Sequence, residues 1–288
     1  MRLNTALKLG RVSNLPTVWT NTLAGVVIAA GAVGGLTLAT MILAFSLFYV
    51  GGMFLNDAYD ARFDAVTRPE RPIPSGEVSR EAVFGYGYAM LGAGVVLLLA
   101  LGYVGQTRWW PAAGGVALAA TIVLYDRHHK NNPMSPLIMG LCRVLVYISA
   151  ALCLTAALPR EIWIAALLVL CYLIGLTYIA KQENLGKVEN LWPLIFLAAP
   201  VIHGLLLGLE DPTVLAFWLL FTVWIVVALR YLARRGPGDI PRAVVSLIAG
   251  ISLLDAMLIA GAGSWALALL ALAGFGFTLF FQRYITGT

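Results

Sequence analysis

Long apolar runs alternate with short polar connections along the whole chain. They fall at about 15–33, 37–56, 82–104, 109–125, 136–157, 161–180, 190–208, 213–232, 242–262 and 264–282. Each is close to the ~20 residues that an α-helix needs to cross a hydrocarbon layer about 30 Å thick. The runs are rich in Leu, Ala and Gly and show no period-2 alternation, so they predict helices and not the strands of a membrane barrel. The expected fold is all-α, a polytopic transmembrane bundle of nine to ten helices in a single domain over residues 1–288. The count carries a range because only Gly261-Ala262-Gly263 separates the last two runs. No connection is long enough for a separate soluble domain. The opening MRLNTALKLGRVSN lacks the apolar core and cleavage site of a signal peptide, so the first run reads as a retained span.

Composition sharpens this picture. Of 288 residues 60% are apolar and 11% charged, with a mean hydropathy of +0.87. A soluble domain is about a quarter charged. Too few polar residues remain to coat a water-facing surface, which excludes an ordinary soluble enzyme, a disordered chain and a nucleic-acid-binding module. The net charge of +5 does not alter that, because the basic residues sit at the ends of the runs. Arg2, Lys8 and Arg11 precede the first run, Arg62 to Arg80 follow the second, Arg127 and Lys130 the fourth, and Lys181 and Lys187 the sixth. Of the opposite connections, only two basic residues, Arg108 and Arg160, can be named. The asymmetry places both termini and the even-numbered connections in the cytoplasm. Cys142, Cys153 and Cys171 all lie in apolar runs and give neither a disulfide framework nor a metal-binding spacing.

The most informative stretch is Asn56-Asp57-Ala58-Tyr59-Asp60-Ala61-Arg62-Phe63-Asp64. At about 100° per residue, Asp57, Asp60 and Asp64 lie within a ~60° arc of one helix face, with Asn56 at its flank. Carboxylates crowded at a membrane boundary repel one another and resist desolvation. A divalent cation between them removes both penalties. Oxygen ligands without His or Cys suit Mg²⁺, which commonly uses one or two carboxylates plus substrate phosphate. The plainer alternative is a solvated helix end whose acids pair with Arg62 and Arg68. Next comes Arg68-Pro69-Glu70-Arg71-Pro72-Ile73-Pro74-Ser75-Gly76, a loop stiffened by prolines. Its arginines suit the gripping of phosphate oxygens, or serve as positive-inside anchors.

These two stretches together resemble the first aspartate-rich motif of the UbiA superfamily of intramembrane prenyltransferases. Gly10-Arg11-Val12-Ser13-Asn14-Leu15-Pro16-Thr17, continuing to Asn21 and Gly25, is similar to that family's opening helix. The resemblance implies a helical bundle around a central, lipid-accessible cavity. It implies an enzyme that uses Mg²⁺, held by aspartate-rich motifs, to grip an isoprenoid diphosphate and pass its prenyl group to an aromatic or lipid acceptor. On this reading Asn56, Asp57, Asp60 and Asp64 hold metal, with Glu183 as a second-site ligand. Asp57, Asp60 and Arg143 are the catalytic set, while Arg68, Lys130, Arg143 and Asn21 contact diphosphate. The implied location is the bacterial cytoplasmic membrane, with the site on the cytoplasmic side.

The chain departs from the family where a second aspartate motif should follow the sixth run. Residues 178–190 read YIAKQENLGKVEN, whose only carboxylates are Glu183 and Glu189. Three readings stay open: a remodelled metal site, replacement of one metal by Lys181 or Lys187, or loss of activity. The last would make the protein a non-catalytic isoprenoid-lipid binder or carrier. Tyr125-Asp126-Arg127-His128-His129-Lys130-Asn131-Asn132-Pro133 resembles the family's basic diphosphate loop. With the aspartate-poor segment it is similar to the EboC-like branch. Its adjacent histidines point about 100° apart and make a poor chelating pair. Arg143 lies inside the fifth run, where an arginine needs a polar cavity or a partner on a neighbouring helix. Asp255 and His203 are expected to make interhelix hydrogen bonds or packing contacts. Tyr59, Tyr125, Tyr147 and Tyr178 are the aromatic candidates for steadying an allylic cation. A phospholipid-type transferase is disfavoured, because its Asp-Gly-x-x-Ala-Arg pattern is not present.

Overall fold

The computed structural model describes residues 1–31, 33–130, 132–183, 192–234 and 236–285; the side chains of Gln182 and Glu183 fall outside the description. Among the described residues there are eleven α-helices, two short 3-10 turns and no strand. The helices are α1 (Leu3–Leu9), α2 (Leu15–Ala30), α3 (Gly35–Thr67), α4 (Arg80–Val104), α5 (Trp110–His128) and α6 (Ser135–Leu152). They continue as α7 (Arg160–Glu183), α8 (Ala198–Gly208), α9 (Pro212–Arg234), α10 (Asp239–Gly261) and α11 (Trp265–Phe281). Helices α2 to α11 answer one by one to the expected runs, and the seven-residue α1 is the addition. Six of them, α3, α4, α6, α7, α9 and α10, have the length and hydropathy to cross a membrane.

Local chemistry sets the helix ends. Prolines occupy the first turns of α2, α5 and α6, where a missing N–H costs nothing. Ser79 caps α4 by accepting the Ala82 N–H at 3.3 Å. Two helices differ from the hydropathy pattern. The 190–208 run begins as a 3-10 turn, Trp192–Leu197, and only Ala198–Gly208 is α-helical; Pro193 and Pro200 remove the amides that a longer helix would use. Helix α3 instead outruns its apolar stretch. Its 33 residues span about 50 Å, well beyond the hydrocarbon thickness. The acidic residues therefore ride on a continuous rigid helix and not on a loop.

Helix α10 is the axis of the bundle, packed against α2, α7, α9 and α11. Tyr172, Phe221, Leu247 and Met257 fill one core around it, while Phe45, Phe48, Leu98 and Leu118 fill another among α3, α4 and α5. Outward positions such as Leu36, Val96, Leu167 and Val223 are exposed and apolar, as a lipid-facing surface requires. Close approaches depend on glycine. A Cβ on Gly25 would lie 2.9 Å from the Tyr147 carbonyl oxygen, so α2 can rest directly on α6 only without one.

Long-range polar contacts gather at one end of the bundle. Thr5 donates to Glu77 at 2.8 Å, Lys181 to the Asn132 carbonyl at 2.7 Å, and Gln282 to Asn14 at 3.1 Å. The N-terminal segment, the connection after α3 and the ends of α5, α7 and α11 thus lie toward one end of the bundle. Trp109 and Trp110, stacked at 4.1 Å, begin α5 at the other end, and Trp163 is exposed in the first turn of α7.

Candidate functional site

At the gathered end, the acidic face of α3 is interleaved with cations from three other segments. Asp57 Oδ1 accepts from Arg11 at 3.1 Å and from Arg71 at 3.3 Å, and Asp64 Oδ2 accepts from Arg71 at 2.9 Å. Asp60 Oδ1 meets Lys130 Nζ at 2.7 Å, and its Oδ2 lies 3.4 Å from His129 Nε2. Asn56 accepts from Arg11 at 3.3 Å and donates to Asp126 Oδ1 at 3.1 Å. Lys130 also sits over the Phe63 ring, 3.8 Å from its centroid. Arg11 reaches this position with φ +41°, a left-handed conformation that non-glycine residues seldom adopt. Burial opposes the charged form of His129, but the hydrogen bond and field of Asp60, with the Asp126 carbonyl, outweigh it and raise its pKa above 6.5.

The plainer alternative, in which these acids pair with Arg62 and Arg68, gives way to other cations. Arg62 is exposed, and Arg68 closes α3 with its backbone N–H on the Asp64 carbonyl at 2.7 Å. The cations that face Asp57, Asp60 and Asp64 come instead from Arg11, Arg71, His129 and Lys130. A helix brings its own side chains together only at i±3 and i±4, so distant segments had to supply the rest. Of the expected diphosphate contacts, Lys130 stands at the cluster beside Asp60.

A second polar layer lies deeper in the bundle. Arg143 on α6 donates to Asn21 Oδ1 at 2.8 Å and to Thr17 Oγ1 at 3.0 Å, both on α2. The Asn21 amide donates to both oxygens of the fully buried Asp255, each at 2.9 Å. Asp255 also accepts from Thr20 and from the Tyr147 hydroxyl. Asp255 therefore makes the expected interhelix hydrogen bonds. Arg143 is tied to a neighbouring helix, and Tyr49 connects the two layers. Its ring centroid lies 5.8 Å from the Arg143 guanidinium, and its hydroxyl donates to the Arg11 carbonyl at 3.3 Å.

The remaining expectations scatter. Tyr59 and Tyr88 share a hydrogen bond of 2.7 Å, Tyr125 stacks on His129 at 5.1 Å, and Tyr147 is committed to Asp255. The Glu183 side chain and residues 184–191 lie outside the described residues. Asp126, at the end of α5, is a member of the cluster that the sequence pattern did not mark. Its signal was an acid at the very end of an apolar run, in a chain with only 14 acidic residues.

The donor chemistry fits Mg²⁺. Asp57, Asp60, Asp64 and Asn56 offer hard oxygens on one face, and the buried Asp126 Oδ2 has no hydrogen-bond partner. Among the described residues no group of three His, Cys, Asp or Glu side chains converges as a metal cage.

Fold and site together define a polytopic helical membrane protein with a carboxylate-and-cation cluster at one end of its bundle. Comparison with known proteins fixes the family. The model of the UbiA prenyltransferase family matches residues 18–244, and the chain belongs to that family. The digeranylgeranylglyceryl phosphate synthase of Methanopyrus kandleri is 29% identical over 266 residues, covering 90% of this chain and 89% of that protein. Proteins of the same name from Metallosphaera sedula and Ignicoccus hospitalis are 33% and 34% identical, over 36% and 38% of their own lengths. A solved structure of digeranylgeranylglyceryl phosphate synthase in membranes superposes with a TM-score of 0.65 at 18% identity, covering 90% of this chain and 98% of the other. The apo structure of a UbiA homologue from Aeropyrum pernix K1 gives 0.51 at 15% identity, covering 98% and 99%. These structures share the fold. The resemblance to the EboC-like branch rests on the motif residues alone.

Proposed function

We propose that the protein transfers a prenyl group from an isoprenoid diphosphate to an aromatic or lipid-like acceptor within the membrane, using Mg²⁺. The observation that carries this reading is the cluster on α3, where acids and bases are paired at the mouth of an apolar bundle. Bound there, Mg²⁺ would be held by Asn56, Asp57, Asp60 and Asp64 and would offset the negative charge that develops on departing diphosphate. The chain's own residues do the rest. Arg71, Lys130 and Arg11, released from their carboxylates, turn to phosphate oxygens, with Arg68 beside them. Arg143, oriented by Asn21, presents a further guanidinium below. The apolar interior excludes the water that would trap an allylic cation. The site opens to the cytoplasm, where the basic connections face. The M. kandleri relative is named for a prenylated glyceryl phosphate, so an isoprenoid glyceryl phosphate belongs among the acceptors tested.

The test uses the full chain in lipid nanodiscs with Mg²⁺ and a panel of prenyl diphosphates and acceptors. Diphosphate release and product formation are expected to fall at least about 100-fold in Asp57→Asn and Asp60→Asn. Metal-dependent binding without release over the whole panel would overturn the transferase reading in favour of a carrier.

A further inference from the structure

Asp126 differs from the other carboxylates of the cluster. Asp57, Asp60 and Asp64 each lie within reach of a cationic side chain. Asp126 has only the Asn56 amide on Oδ1, while its Oδ2 is buried without a hydrogen-bond partner in a residue 4% exposed. A carboxylate oxygen shut away from water and donors is costly, and so small a side chain gains little from packing to offset it. Protonation would remove the charge but leave an O–H donor equally alone. Such an atom, on a carboxylate beside a row of cation-paired ones, points to a ligand.

Its place in the fold says which ligand. Where α5 runs beside α3, Asn56 meets Asp126 and, one turn further on, Asp60 meets His129 and Lys130. Asp126 therefore shares a layer with the flank of the aspartate-rich face. We infer that Asp126 is a divalent-cation ligand, its free oxygen acting alongside Asn56 and the aspartates of α3. This rests on the Mg²⁺ part of the function proposed above. It adds a ligand from the last turn of α5 to those of α3. Two carboxylates on separate helices, with phosphate and water, satisfy the coordination habits of Mg²⁺.

Binding is measured without turnover, using Mn²⁺ as a paramagnetic substitute and inorganic pyrophosphate, with free Mn²⁺ read by electron paramagnetic resonance on the full chain in nanodiscs. Asp126→Asn is expected to weaken Mn²⁺ binding at least about tenfold, while Asp126→Glu stays within about threefold of the parent. Asp126→Cys, in a background with the native cysteines replaced by alanine, tests ligation itself. Its preference for Cd²⁺ over Mn²⁺ should rise at least about tenfold, because thiolate favours the softer ion. A purely structural carboxylate would not change metal preference. Parental Mn²⁺ affinity in Asp126→Asn, or an unchanged preference in Asp126→Cys, overturns the inference alone. A parent protein that binds no Mn²⁺ overturns both this inference and the metal part of the proposed function.

Discussion

At the residue scale, the site is governed by charge balance. Two carboxylates about 6 Å apart on one helix face repel by about 3 kcal/mol at an effective dielectric near 20. An acidic stretch like that on α3 stays folded at a membrane boundary only if cations intervene. Arg11, Arg71, Lys130 and His129 do so here. On the function proposed above such pairs would exchange, the carboxylates passing to a metal as the cations pass to phosphate. His129 gives this a pH signature. Its pKa is raised in the folded protein, so its contribution to stability is complete below 6.5 and is lost as pH rises through the higher folded value. In buffer free of divalent cations, His129→Gln should melt about 2 °C below the parent at pH 6, and the difference should vanish in alkaline solution. Melting curves across that range check it.

At the element scale, the decisive features are the length of α3 and the polar seam joining α2, α6 and α10. Hydropathy marked where the apolar part of α3 stops but not that the helix runs on to Thr67, since Ala58, Ala61, Arg62 and Ala65 favour a helix whether or not the apolar run continues. The seam was half legible. Arg143 and Asp255 each stood out as charges within apolar runs, but nothing in the chain order said that Asn21 would stand between them, donating to one and accepting from the other. Replacing Asp255 by leucine strands the Asn21 amide and the Thr20 and Tyr147 hydroxyls and leaves Arg143 without its counter-charge. A loss of about 2–4 kcal/mol is expected, with Asp255→Asn in between. Unfolding titrations in mixed micelles read both variants against the parent.

At the scale of the whole molecule, the N-terminal segment and the connections after α3 and α5 lie at one end and the tryptophans of α5 and α7 at the other, so the proposed cytoplasmic site makes a labelling prediction. With the native cysteines replaced by alanine, Glu70→Cys should react with a membrane-impermeant thiol reagent only from the cytoplasmic face. Ala156→Cys, in the connection between α6 and α7, should react only from the opposite face. Labelling of intact cells against inverted vesicles decides this, and reaction of both from one face would refute the topology. The sequence alone determined the membrane class, the run of helices and the acidic face of α3. Those follow from hydropathy and from helical periodicity, which act over a few turns of one chain segment. Only the tertiary structure decided which cations face Asp57, Asp60 and Asp64, that Arg143 is bound to α2, and that Asp126 enters the cluster with an oxygen to spare. These are meetings between residues up to 126 positions apart, settled by how glycine-lined helices approach one another and by the need of each buried charge for a partner.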